Sequence, residues 1–284
     1  MPKVSPSAER DIIHKLVDLD RYPIDRLDDP TGAEFLRQCQ NHMSLHGWCN
    51  FDDFIRPEAV EDLADEARRL LPGAETLTIK RNIYQGKVDE NVPDGDPRRR
   101  EYVHTAQQLA DDQIPDDSLI DQLYQSDLLT EFVRRVQQKP VLYRYADEFQ
   151  ALNIVALHPG SWHAWHYDVN ECTVTLLLQA ADDGGHFTFL PNSRTDKEEN
   201  REAVDRLLNG DLSQSQSFRR GAGTFTLFRG GYSLHGVTEV LGTQPRITAI
   251  LTYDEQPDSV ASVDVNVRIY GERVKKILDG RRSA

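Results

Sequence analysis

The sequence predicts a mostly β domain, a barrel or jelly roll, braced by helices that precede it in the chain. Three observations carry this. From about residue 140 the chain breaks into short runs of β-branched, leucine and aromatic residues: "ALNIVALH", "WHYDV", "CTVTLLLQ", "HFTFLP", "GTFTLF" and "RITAILTYD". Turn residues separate these runs, in "HPGS", "DDGG", "GAG", "RGG" and "GTQP". Before residue 140, apolar residues recur instead at helical spacing. Many short strands punctuated by Gly and Pro indicate a sandwich or barrel.

The N-terminal elements follow in order. Residues 31–46 read as a helix stopped by Gly47, and "GWCNFDDFI" as a short strand and turn. Pro57 opens a second helix, "PEAVEDLADEARRLL", with acids in its first turn. Residues 86–100, "GKVDENVPDGDPRRR", are all turn-forming or charged and read as a lid loop. "PDDSLIDQLYQSDLLTEFVRRVQQ" is a further capped helical segment, and "KEENREAVDRLLNG" a helical insertion between strands. The expected organisation is one domain over residues 1–284: a mainly helical bracing region with the lid loop at 1–139, and the β core at 140–272.

Composition narrows the partners. Thirty-three basic against 47 acidic residues give a formal net charge of −14, which disfavours nucleic acid and anionic membranes. Cys39, Cys49 and Cys172 form no CxxC spacing, so neither a disulfide framework nor a zinc knuckle is expected, and a reducing cytoplasm is the expected setting. The N-terminus lacks the apolar core of a signal peptide. No apolar run approaches the ~20 residues needed to span a bilayer. The expected partner is a small molecule, with a homodimer left open.

The stretch "SWHAWHYDVNECTVTLLLQ" at 161–179 departs from a plain core strand by placing histidines and an aspartate at its start. On a strand, His166 and Asp168 share a face. His235, in "GGYSLHGV", can supply a third ligand. Two histidines and a carboxylate on one side of a metal leave positions open, the pattern of non-haem Fe(II) oxygenases. Taken singly, an HxD recurs by chance and His235 reads as a structural histidine. Arg246 shifts the balance: it stands eleven residues after His235 on the next strand. An arginine pointing into a barrel needs an anion, and its fork matches a carboxylate. Thr248 shares its face and adds a hydroxyl. The implied co-substrate is a dicarboxylate, one end on iron and the other on Arg246. A zinc hydrolase with the same ligands would not need that second anion anchor.

The H-x-D, distal His and R-x-T set resembles the 2-oxoglutarate- and Fe(II)-dependent oxygenases. "WHYD", "LLLQ", "DDGGHFTFLP", "GTFTLFRGGYSLHGV" and "RITAILTYDEQP" resemble the bacterial subgroup that includes free-amino-acid hydroxylases and halogenases. The resemblance spans roughly residues 140–272 and weakens over the N-terminal helices. It implies a double-stranded β-helix core, iron at His166, Asp168 and His235, and 2-oxoglutarate at Arg246 with Thr248. It further implies O2 as oxidant, an aliphatic C–H of a free amino acid or derivative as target, and release of succinate and CO2. Halogenases of this subgroup carry Gly or Ala where Asp168 stands, so hydroxylation is expected; desaturation, ring closure or a non-catalytic metal-holding module are the alternatives. Positions similar to His163 and Thr252 contact the substrate's polar end in relatives, although both also suit ordinary structural roles. Arg98, Arg99, Arg100 and His104 follow the lid loop and can clamp a substrate carboxylate, or form a solvated face. Asn153 can reach the co-substrate or bond a neighbouring strand. Trp162 and Trp165 are expected to pack, His186 to be structural, and Gly184, Gly185, Gly230 and Gly231 to be turns that use positive φ.

Overall fold

The computed structural model describes residues 12–86, 92–96 and 99–282. Helix α1 (Pro30–His46) starts where Asp29 accepts from the Gly32 amide at 2.7 Å, and ends at Gly47 with φ 77°. That terminus is the sequence's own punctuation: an acidic N-cap, Pro at the first position and Gly in the left-handed region. Strand β1 (Trp48–Phe51) and helix α2 (Pro57–Leu70) follow. The expected single segment near 115–138 is two helices, α3 (Leu119–Tyr124) and α4 (Asp127–Val136). Ser118 and Ser126 each cap one, accepting from the amides of Asp121 and Leu129.

Between α2 and α3 the structure departs from the expected helical region. Strands β2 (Glu75–Arg81) and β3 (Tyr102–Leu109) pair antiparallel and extend the main sheet. The β core is β4 (Tyr143–Arg144), β5 (Leu152–Leu157), β6 (His163–His166), β7 (Thr173–Gln179), β8 (Phe187–Leu190), β9 (Gln216–Phe218), β10 (Phe225–Phe228), β11 (Leu234–Val237), β12 (Arg246–Leu251) and β13 (Tyr253–Asp254). Helix α5 (Arg201–Leu208) is the helical insertion. The strands end at Asp254; helix α6 (Val263–Arg282), kinked at Gly271, occupies part of the span assigned to the β core.

Seven strands form one sheet in the order β1-β10-β7-β12-β5-β3-β2, and four form the other, β6-β11-β8-β9. This is a jelly roll, a double-stranded β-helix with flanking helices. Strand β7, inside the large sheet, is buried on both faces. Val174, Leu176 and Leu178 of β7 join Phe54, Leu129 and Phe132 in the core beneath the N-terminal helices. Thr173 and Thr175 point the other way and line the interior cavity. Burial on both sides explains the continuous apolar run "TVTLLLQ", where a half-exposed strand would alternate. Among the described residues, no helix is long and apolar enough to cross a membrane.

Candidate metal centre and active site

A cavity of about 410 Å³ lies between the two sheets. His166 ends β6 and His235 lies in β11; the two are direct cross-strand partners in the antiparallel register. Their rings sit 4.2 Å apart. Asp168 falls beyond the end of β6, so strand alternation does not deliver it. Its position comes from the turn: the Asp168 amide donates to the Gly230 carbonyl at 3.0 Å, and the Tyr167 amide to Ile83 at 2.8 Å. The Asp168 carboxylate then lies 3.3 Å from Nε2 of each histidine. One ligand atom from each residue falls within 4.8 Å of the others, and among the described residues this is the group that could hold a metal.

The neighbours of these three groups fix their protonation. Nδ1 of His166 bonds the Ala164 carbonyl at 2.8 Å, and Nδ1 of His235 the Ser233 carbonyl at 2.9 Å. A carbonyl only accepts, so each Nδ1 carries the proton and each Nε2 is turned to the carboxylate. Burial and the adjacent His235 push His166 down to about 4, so its Nε2 bears a lone pair at neutral pH. A lone pair facing a carboxylate oxygen is repulsive unless a cation sits between them. Burial alone would raise Asp168; positive charge on its imidazole side holds its carboxyl well below the usual carboxylate range, and with both Nε2 atoms unprotonated a metal cation is the group that can supply that charge. Thr173 Oγ1 also donates to its Oδ2. The donor set therefore fits a divalent ion such as Fe(II).

Gly230 serves this carboxylate. A Cβ there would lie 2.2 Å from Asp168 Oδ2 and 2.5 Å from Thr173 Oγ1. Of the four glycines expected to exploit positive φ, Gly184 and Gly185 do so, at 66° and 61°. Gly230 and Gly231 are required by close approach instead: at Gly231 a Cβ would meet the Asn170 carbonyl at 2.7 Å.

Arg246 and Thr248 lie on one face of β12 and are hydrogen-bonded to each other. Arg246 is 6% exposed, and among the described residues no carboxylate pairs with it. Burial pushes its guanidinium down to about 10. Such a buried cation fits the far carboxylate of 2-oxoglutarate. Sequence reasoning missed a second guanidinium, Arg220, which looks like part of a turn in "FRRGAG". It is buried, donates to Thr226 Oγ1 at 2.7 Å, stacks 4.3 Å over the Phe187 ring, and leaves Nε without a partner. Arg220 and Arg246 both line the main cavity and a smaller one of about 320 Å³.

At the other end, His163 stacks 4.4 Å from His166 and meets Arg81 Nη2 at 3.1 Å through its Nε2. The His104 ring lies 4.6 Å from that of His163, tilted by 48°; it is buried, with neither ring nitrogen hydrogen-bonded. Burial, with Arg81 and His166 adding, pushes His104 down to about 3. Thr252 also lines the cavity, while its carbonyl accepts from Tyr124 Oη at 2.5 Å. Arg81, again missed, enters from β2. Arg100 lies elsewhere than expected: it is tied to the end of α5, donating to the Leu208 carbonyl at 2.6 Å. That bond satisfies a helix-terminal acceptor. Arg98 is outside the described residues. Arg99 donates to the Val92 carbonyl at 2.7 Å. Asn153 faces the cavity but bonds its neighbours, accepting from Gln108 at 2.7 Å and from Tyr270 Oη. Trp165 packs against the cluster around Ile83 and Tyr167.

A jelly roll with a His-Asp-His centre and a buried arginine on a neighbouring strand is the architecture of the 2-oxoglutarate- and Fe(II)-dependent oxygenase class. The chain belongs to the family described as Halogenase D, which matches residues 31–270. No curated protein sequence matches it. Among solved structures it is similar to SnoN, described as a non-haem α-ketoglutarate-dependent epimerase from nogalamycin biosynthesis, with 16% identity over 78% of this chain and 83% of that one, TM-score 0.54. HygX from Streptomyces hygroscopicus, solved with nickel and 2-oxoglutarate, gives 14% identity over 78% and 87%, TM-score 0.54. SnoK, described as a carbocyclase, gives 14% over 76% and 83%, TM-score 0.52. At these identities the likeness shows the fold.

Proposed function

We propose that this protein is an Fe(II)- and 2-oxoglutarate-dependent oxygenase of hydroxylase type, acting on an aliphatic C–H of a free amino acid or a close derivative. The observation that carries the reading is the convergence, in one cavity, of three metal ligands with a buried guanidinium that lacks a carboxylate. His166, Asp168 and His235 would hold the iron, and Arg246 with Thr248 the far end of 2-oxoglutarate. Iron so bound supplies the oxidation by O2, with 2-oxoglutarate leaving as succinate and CO2.

The chain's own residues do the positioning. The Ala164 and Ser233 carbonyls orient the two imidazoles. Thr173 and the gap at Gly230 seat the carboxylate. This seating supports hydroxylation over halogenation, because the ligand position a halide would need is held by Asp168. Phe187 and Phe228 pack beside His235 and help keep water from the centre. Arg81, backed by His163, offers a fork for an α-carboxylate, and the neutral ring of His104 an acceptor for an α-ammonium. The net charge of −14 supports a small-molecule substrate over nucleic acid.

A mass-spectrometric screen of amino acids and derivatives with Fe(II), 2-oxoglutarate and O2 tests this. Gain of one oxygen in a substrate, with succinate formed in step, is the expected result. Loss of two hydrogens would keep the site and replace hydroxylation by desaturation or ring closure. Succinate formation that no substrate stimulates and no ligand variant abolishes would overturn the proposal.

A further inference from the structure

The cavity is strongly unbalanced in charge. Four guanidinium side chains line it, Arg81, Arg220, Arg246 and Arg268, against one described carboxylate, Asp168. Asp168 is committed to the two histidines and Thr173. Arg220 and Arg246 lie together at the co-substrate end, and one far carboxylate answers them. Arg81 and Arg268 remain at the other end.

Neither of that second pair has an acidic partner. Arg81 reaches His163 and Gln85, at 3.1 and 2.6 Å, and its buried Nε bonds nothing. Arg268, exposed on α6, forms no hydrogen bond or ion pair with any described residue. Both side chains line the same cavity; burial pushes Arg81 down to about 10, Asp168 draws it up, and Arg268 draws it further down. Two guanidiniums that line one cavity without a carboxylate of their own attract anions and repel cations.

The other polar groups that line this cavity include no second carboxylate to receive a basic side chain. Both lone pairs of Asn153 Oδ1 are taken, by Gln108 and Tyr270. Gln150 donates its Nε2 to Asn266 Oδ1. An amino acid's α-ammonium has the unpaired acceptor nitrogen of the buried His104 ring; a second ammonium would meet amide and hydroxyl oxygens but no free carboxylate, among four guanidiniums.

We propose that the primary substrate is a dicarboxylate of amino-acid type, an acidic amino acid or a derivative bearing a second carboxylate, with one carboxylate on Arg81 and the other on Arg268. Amino acids with basic side chains are refused by charge. This rests on the reading of the cavity as the substrate site of an oxygenase.

The test uses the full chain loaded with Mn(II) and saturated with 2-oxoglutarate, so that binding is read calorimetrically without turnover. Glutamate, aspartate and 2-aminoadipate are compared with leucine and methionine, with lysine and ornithine, and with glutarate. An acidic amino acid should bind at least tenfold more tightly than any aliphatic or basic one. Arg268→Ala should weaken it at least tenfold while the affinity for 2-oxoglutarate stays unchanged, and Arg268→Lys should recover part of the loss. Tightest binding of lysine, ornithine or an aliphatic amino acid, or an Arg268→Ala variant that binds as before, overturns the dicarboxylate inference and leaves the amino-acid reading standing. Glutarate binding as well as glutamate keeps the two-carboxylate grip and overturns the amino-acid reading. Binding by no member overturns both.

Discussion

Replacing Arg246 with methionine should have opposite effects on the empty and the loaded protein. Burial lowers the Arg246 pKa from its ordinary value to about 10. At 1.36 kcal/mol per decade, this is a penalty of about 3 kcal/mol on the folded, co-substrate-free state. The fold holds this proton less tightly than the unfolded chain, so the penalty is complete below pH 10 and fades only as pH rises towards the ordinary arginine pKa. Losing the hydrogen bond to Thr248 offsets about 1 kcal/mol. The metal-loaded variant without 2-oxoglutarate should therefore melt roughly 4–8 °C higher, at ~2–4 °C per kcal/mol for a chain of this size. Binding moves the other way. Removing one partner of a buried, hydrogen-bonded charge pair costs ~2–5 kcal/mol, at least ~30-fold in affinity. Calorimetric titration of Mn(II)-loaded protein with 2-oxoglutarate, and melting curves with and without it, measure both effects. A variant that binds 2-oxoglutarate within threefold of the parent, or melts several degrees lower, would refute the reasoning.

Other predictions follow from the same site. Arg220→Met should weaken 2-oxoglutarate about tenfold in the same titration, as expected for one charge-assisted contact. Gly230→Ala should push the Asp168 carboxylate out of place and lower metal affinity ~10- to 100-fold, read by competition with a chromophoric chelator, while circular dichroism stays unchanged. Asp168→Ala should abolish the hydroxylated product in the mass-spectrometric assay. His104, neutral in the fold and pushed down to about 3, withholds its proton while the unfolded chain takes one up near 6.5. Stability it permits is complete above pH 6.5 and falls towards pH 3, so His104→Phe should gain about 2 kcal/mol relative to the parent between pH 6.5 and 5, by denaturant titration.

The site was legible where chemistry and spacing coincide. The HxD pair, His235 and the Arg246–Thr248 face could each be named from a strand period and a residue type. The reason given for Asp168 did not hold: a turn anchored by the Gly230 carbonyl places it, and no side-chain period encodes that. Arg81 and Arg220 were hidden for related reasons. Arg81 ends "ETLTIKR", whose strand is half-exposed along its length and carries no continuous apolar run. Arg220 sits among glycines that read as a turn, and only the closed barrel shows its guanidinium over Phe187. Strands β2 and β3 escape a local reading because β3 is set by pairing with β5, a long-range contact, and β2 by pairing with β3 at the sheet's edge. Helix α6 was missed because Gly271 interrupts its apolar spacing.

Anaerobic titration with Fe(II) and then 2-oxoglutarate bears most directly on the three-ligand centre. The account predicts one iron and one 2-oxoglutarate per chain, with a weak visible charge-transfer band that needs both and disappears in His235→Ala. Binding of 2-oxoglutarate that ignores the metal, or a band that survives loss of His235, would contradict it.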